Sequence, residues 1–170
     1  KGDLTAGSLR SFDGQGVFTG ELEQALLAGR IDLAVHSLKD LPTQCHADLV
    51  LAATPTREDV RDVLIGAEGC QLQTLPRGAR LGTGSLRRRG QLLALRPDLS
   101  FVEIRGNIDT RIRKCREGEC DVLVVAAAAL HRLDWKTEIS SYLPTDQMLP
   151  AVGQAALALQ MRGDDPRTSV

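Results

Sequence analysis

Short apolar runs alternate with amphipathic stretches along this chain, and that alternation limits the fold more than any other feature. "IDLAVH" (31–36), "VRDVLIG" (60–66), "ARLGTG" (79–84), "SFVEIRG" (100–106), "DVLVV" (121–125) and "AALALQMR" (155–162) read as strands. Between them, "FTGELEQALLAGR" (18–30), "SLRRRGQLLALRP" (85–97) and "NIDTRIRKCREGEC" (107–120) read as helices, and "AAAALHRL" (126–133) turns the fifth strand into one. In the first helix Phe18, Leu22, Ala25 and Leu26 share a face, Thr19 stands at the cap and Gly29 at the stop. Short strands separated by helical stretches imply right-handed βαβ units. The expected fold class is therefore α/β with mostly parallel sheets.

Composition narrows the class further. A hydrophobic share of 42% beside 25% charged residues calls for a packed core, and with only 3% aromatics that core must be aliphatic. A net charge of −1 argues against wholesale binding to nucleic acid or to an acidic membrane face. No run of about 18 apolar residues appears, so no membrane partner is expected. Cys45, Cys70, Cys115 and Cys120 form no CxxC pair, which points to free thiols in a reducing, cytoplasmic setting and to no metal site. Lys1 stands where a starting Met would be, so the beginning of the chain is expected to be incomplete.

Two stretches look like crossings between lobes. "ATPTREDVRD" (53–62) carries a proline and a charge run before its strand restarts, and "LPTDQMLPAVG" (143–153) carries two prolines and a glycine. Residues 60–148 are then expected to form a lobe inserted into another made of 1–55 and 152–170. A double hinge of this kind implies a ligand in the cleft.

The chemistry is expected outside the carboxyl ends of the strands. "GTGSLRRRG" (82–90) joins a strand to a helix there. Gly82 and Gly84 permit a tight turn and close backbone approach, while Thr83 and Ser85 offer hydroxyls and Ser85 a helix cap. Arg87, Arg88 and Arg89 fall in the first helical turn, where cations oppose the dipole and a bound anion would compensate. The window 80–116 holds nine Arg and one Lys against three acids, an excess of +7. Guanidinium forks suit carboxylates. The window has only Phe101 as an aromatic platform, which disfavours single-stranded nucleic acid. In "HSLKD" (36–40), Asp40 suits a place facing a cationic cleft and Lys39 could hold an anionic substituent. His36 fits a satisfied, half-buried histidine better than a catalyst.

"HSLKDLPT", "REDVRDVLIG", "LGTGSLRRRGQL", "IRGNIDTRIRK" and "LPAVGQAALALQ" together, in this order and near this spacing, resemble the porphobilinogen deaminases (hydroxymethylbilane synthases). The resemblance runs through almost all 170 residues. It implies a two-lobed, periplasmic-binding-protein-like architecture. It implies a transferase that joins four porphobilinogen molecules head to tail, releasing ammonia, to give hydroxymethylbilane for tetrapyrrole and haem synthesis. The family works on a dipyrromethane cofactor bound by a thioether to a cysteine of a third domain. That domain is expected to be missing here, since none of the four cysteines has the required glycine-rich context. The piece alone is then expected not to turn over, and to be a monomer whose partners are porphobilinogen and linear oligopyrroles.

Carried over residue by residue, the resemblance makes Asp40 the catalytic aspartate. Ser37, Lys39, Thr83, Ser85, Arg87, Arg88, Arg105 and Arg111 become ligands for acetate and propionate side chains, with Arg132 and Gln154 as further binding positions. Three departures stand out. Gly84 replaces the first Ser of the usual "GTSSLRR", Gln15 stands in "DGQGVF" where "GKGLF" is usual, and Ala155 turns "VGQGA" into "VGQAA". Gly84 and Gln15 leave room for an alternative, a degenerate two-lobe binding module for a small polycarboxylate.

Overall fold

The computed structural model describes residues 19–165, so Gln15 and Phe18 lie outside the described residues. The chain divides into two compact units, one of residues 1–58 with 152–170 and one of residues 59–151.

The first unit, as described, holds a three-stranded sheet and one helix. Helix α1 (Gly20–Leu27) leads to strand β1 (Ala34–Ser37), a 3-10 turn (Leu38–Asp40), strand β2 (Leu49–Ala53) and, at the far end of the chain, strand β8 (Leu157–Arg162). The sheet order is β1-β8-β2, with β8 antiparallel to both neighbours. Leu26, Ala34 and Leu49 form the small core, with Ile31 against it. Arg162 closes the end of α1: its Nη1 donates to the carbonyls of Leu26 (2.9 Å) and Ile31 (2.7 Å), and its Nη2 pairs with Asp32 and Asp165. Cations favour the carbonyl end of a helix, and here the guanidinium adds to the Gly29 N–H that Leu26 O already accepts.

The second unit holds a five-stranded sheet in the order β5-β4-β6-β3-β7. Its elements run β3 (Asp62–Ile65), β4 (Arg80–Gly82), α2 (Leu86–Leu95), β5 (Ser100–Val102), α3 (Ile108–Arg116), β6 (Val122–Ala126), α4 (Ala127–Arg132) and β7 (Ser141–Leu143). Alternate residues of the central strands feed two cores, one on each face. Leu64, Val122 and Val124 meet Leu92 of α2, while Val63, Leu123 and Val125 meet Ile112 of α3 and Leu130 of α4. All of β3 and β6 is buried, as a strand covered on both faces requires.

The α/β class stands, but the sheets are mixed rather than mostly parallel. Among the described residues only β4 with β5 and β4 with β6 run parallel, the three strands that the crossover helices α2 and α3 link in turn. β3 enters antiparallel to both β6 and β7. Direction is set by where a strand enters the sheet, which short apolar runs do not encode.

Candidate functional site

In the first unit, β1 buries Ala34 and His36 and exposes Val35. His36 is satisfied, as expected: its Nε2 lies 2.9 Å from Oε1 of the buried Gln160, whose Nε2 donates to Glu23 at 3.0 Å. Because Oε1 of Gln160 is an acceptor, His36 Nε2 carries the proton in this contact. After Ser37 the chain tightens into the 3-10 turn, which leaves Lys39 and Asp40 exposed.

The turn is braced from behind by residues 153–156. Leu38 N donates to Ala156 O (3.0 Å), and Lys39 Nζ lies 3.5 Å from Oε1 of the fully buried Gln154. Arg57 Nε donates to Gln154 O at 2.9 Å, tying the same loop from the other side. Gly153 has φ +70, and a Cβ there would stand 3.0 Å from Leu38 Cγ. Ala155, at φ 72, is held in the left-handed region that disfavours a side chain. The sequence marked Ala155 only as a departure; its strain shows in the backbone. Of the expected residues, this unit brings together Ser37, Lys39, Asp40 and Gln154.

In the second unit, Gly82 ends β4 with no room for a side chain: a Cβ would lie 2.6 Å from Cys120 Sγ and 2.8 Å from Ile104 Cγ1. Thr83 N donates to Val102 O (2.9 Å), and Ser85 N donates to Thr83 Oγ1 (3.2 Å). Ser85 caps α2, its Oγ accepting from Arg88 N at 3.4 Å. Both hydroxyls therefore act as acceptors toward the backbone and keep their O–H for donation.

Arg87 and Arg88 meet at one carboxylate that the sequence reading left unassigned. Asp62, the first residue of β3, is fully buried. Its Oδ1 accepts from Arg88 Nε (3.1 Å) and Nη2 (2.8 Å), and its Oδ2 from Arg87 Nη2 (2.6 Å). Arg88 Nη1 also donates to Val124 O (3.2 Å), and Arg87 Nη1 to Leu149 O. Burial pushes the Asp62 carboxyl up, but the Arg88 charge and the hydrogen bonds from Arg88 and Arg87 outweigh it and hold it below the usual carboxylate range. The signal was present in "RDVLIG": an acid opening an otherwise apolar strand demands a buried partner.

The remaining expected cations are placed separately in this unit. Arg105 pairs with Glu103, Nε to Oε1 at 3.0 Å, and Arg111 Nε donates to Gly106 O at 2.6 Å. Arg132 is exposed in the last turn of α4. Much of the +7 excess is matched by acids. Arg80 pairs with Asp121, Arg96 with Asp98, Arg113 with Glu117 and Arg116 with Glu138. Arg89 lies over the Phe101 ring at 5.7 Å. Several of these acids lie outside the 80–116 window, which is why a local count missed them.

A cavity of about 650 Å³ opens in the same unit beside Gly66, Cys115, Arg116, Glu138 and Ser140. It holds none of the expected residues, and its Arg116 and Glu138 are paired with each other. The four cysteines are free thiols. Among the described residues, no cluster of His, Cys, Asp or Glu is suited to a metal ion, and no helix is long and apolar enough to cross a membrane.

The family model of the porphobilinogen deaminase dipyromethane cofactor binding domain matches residues 1–170. The chain belongs to the porphobilinogen deaminase family. The enzyme of that name from Syntrophus aciditrophicus is 52% identical over 157 residues, which cover 92% of this chain and 51% of that protein. The one from Brevibacillus brevis is 50% identical over 161 residues, covering 95% and 52%. This chain thus spans about half the length of the curated relatives it matches. Solved structures support the periplasmic-binding-protein-like fold alone. A nutrient-binding protein from Burkholderia cenocepacia, bound to methionine, superimposes with TM-score 0.54 at 15% identity over 85% of this chain and 71% of that one. A periplasmic binding protein from Brucella ovis, with glutathione bound, gives TM-score 0.54 at 17% identity over 86% and 47%.

Proposed function

We propose that this chain supplies the catalytic aspartate and carboxylate-binding residues of a porphobilinogen deaminase, which condenses four porphobilinogen molecules head to tail into hydroxymethylbilane. The observation that carries the reading is the exposed Asp40 carboxylate on a tight, braced turn, within a chain whose full length matches the family.

In each addition the C–N bond of the aminomethyl group breaks and the nitrogen leaves as ammonia. The α-carbon of the preceding pyrrole forms the new C–C bond and then loses its proton. Positive charge spreads over the pyrrole while the amine departs. A carboxylate at the ring N–H stabilises that charge and serves the later proton transfer. Asp40 is the residue for both tasks. Lys39, Ser37, Gln154, Thr83, Ser85, Arg87, Arg105, Arg111 and Arg132 hold acetate and propionate groups away from the reacting carbon, and Arg88, whose guanidinium is committed to Asp62 and Val124 O, holds Asp62 beside Arg87. The dipyrromethane, when bound, supplies the end onto which new pyrroles are added. The donors on this chain suit its carboxylates: the Thr83 and Ser85 hydroxyls and the N–H groups that Arg87 does not use toward Asp62 and Leu149.

Asp40→Ala in the full-length protein tests the reading. Ammonia release is expected to fall by about 10²–10⁴-fold, the worth of a positioned acid–base group, with porphobilinogen binding retained. Unchanged turnover would overturn it. Binding of porphobilinogen with no turnover in the unsubstituted protein would favour the polycarboxylate-binding module instead.

A further inference from the structure

Asp62 serves its two arginines unequally. Arg88 gives two N–H groups to Oδ1 and a third to Val124 O, and its side chain is only 8% exposed. Arg87 gives one N–H to Oδ2 and one to Leu149 O, and its side chain is 24% exposed. Two guanidinium groups and one carboxylate sum to +1, and a buried cluster with that charge favours one more anion. An anion arriving from solvent meets Arg87, because Arg88 is closed off beneath it.

The geometry points to Asp62 as an exchangeable counter-ion: a ligand carboxylate displaces its Oδ2 from Arg87, while Oδ1 stays with Arg88. Asp62 is then a positioning residue that decides which of two adjacent arginines takes the ligand. The Arg87 bond to Leu149 O keeps that guanidinium in place while its partner changes. Gln91 steadies Leu149 in turn, accepting from its N at 2.8 Å and donating to its O at 3.1 Å. The identity of the ligand carboxylate, an acetate or propionate of a pyrrole, rests on the deaminase reading; the exchange itself does not.

The test follows arginine Nε–Hε signals of the nitrogen-15-labelled chain during titration with porphobilinogen and, separately, with glutarate. The Arg87 signal is expected to move and the Arg88 signal to stay, with slow solvent exchange throughout. Movement of Arg88, or of neither signal with either probe, would overturn the exchange. Movement of Arg87 with glutarate but not porphobilinogen would keep the exchange and count against the deaminase reading. As a second arm, Asp62→Asn removes the competing charge and is expected to tighten porphobilinogen binding about tenfold, the worth of one charge-assisted hydrogen bond. Weaker binding in a folded variant would contradict the proposal, and if the variant does not fold, the signals of the unsubstituted chain decide.

Discussion

Nη2 of Arg88 lies 2.8 Å from Oδ1 of Asp62, and both side chains are buried. A carboxylate in such a place is stable only because it is ionised and paired. The Asp62 pKa is lowered relative to the unfolded chain, so its contribution to stability exists where the unfolded carboxylate is ionised. That contribution is full above about pH 5 and is lost as the pH falls past the unfolded value near 3.9 toward the lower folded one. Asp62→Asn is expected to cost about 3–5 kcal/mol near neutral pH, by stranding a buried charge. The gap between the two proteins should narrow as pH falls toward about 3. Urea unfolding across this range checks both the size and the sign.

Ala155 at φ 72 makes an opposite prediction. Left-handed backbone costs an L-residue about 1–2 kcal/mol, and glycine escapes most of that while losing some unfolded-state entropy. Ala155→Gly should stabilise the chain by about 1 kcal/mol and raise Tm by about 2–4 °C. A lower Tm would mean that the methyl group's packing outweighs the strain.

The two glycines of "GTG" should respond differently to a side chain. Gly82→Ala drives a methyl against Cys120 and Ile104 and should cost about 1–3 kcal/mol. At Gly84 the nearest atom to an added Cβ is Ile104 O at 3.8 Å, so Gly84→Ser should shift stability by no more than about 0.5 kcal/mol. Thermal unfolding of the pair distinguishes a glycine that packing requires from one that it tolerates.

The Glu23–Gln160–His36 chain is testable by removing its middle. Gln160→Leu leaves the buried His36 N–H without its acceptor and should cost about 1–3 kcal/mol. Replacing His36 and Gln160 together with apolar residues should recover part of that loss. A double-mutant cycle by chemical denaturation measures the coupling.

Much of the fold was legible in the chain. Segments with strong periodicity became β3, β4, β6, β8, α2 and α3 close to their expected places. β2 and β7 were missed because β2 buries only its first residue and β7 has only three residues, so neither carries an alternating pattern. Such strands owe their form to hydrogen bonds from one neighbour more than to any pattern of their own. The arginines of the candidate site were legible as residue types, and so was the Ser85 cap. Which cations were already paired was not, because Asp62 lies about two dozen residues before the arginines it binds and Glu138 lies 22 after Arg116.

The sequence by itself determined the α/β class, the aliphatic core, the family motifs and the acid of "HSLKD". Local periodicity and composition carry that information. Only the tertiary structure decided the direction of β3. Read as another parallel strand, "RDVLIG" would start at the end of the sheet remote from the "GTGSLRRR" turn. Running antiparallel to β6, it pairs Asp62 with Ala126, the last residue of that strand. That direction sets the carboxylate at the end where β4 delivers Arg87 and Arg88, because reversing a strand exchanges its ends and leaves its hydrophobic pattern unchanged.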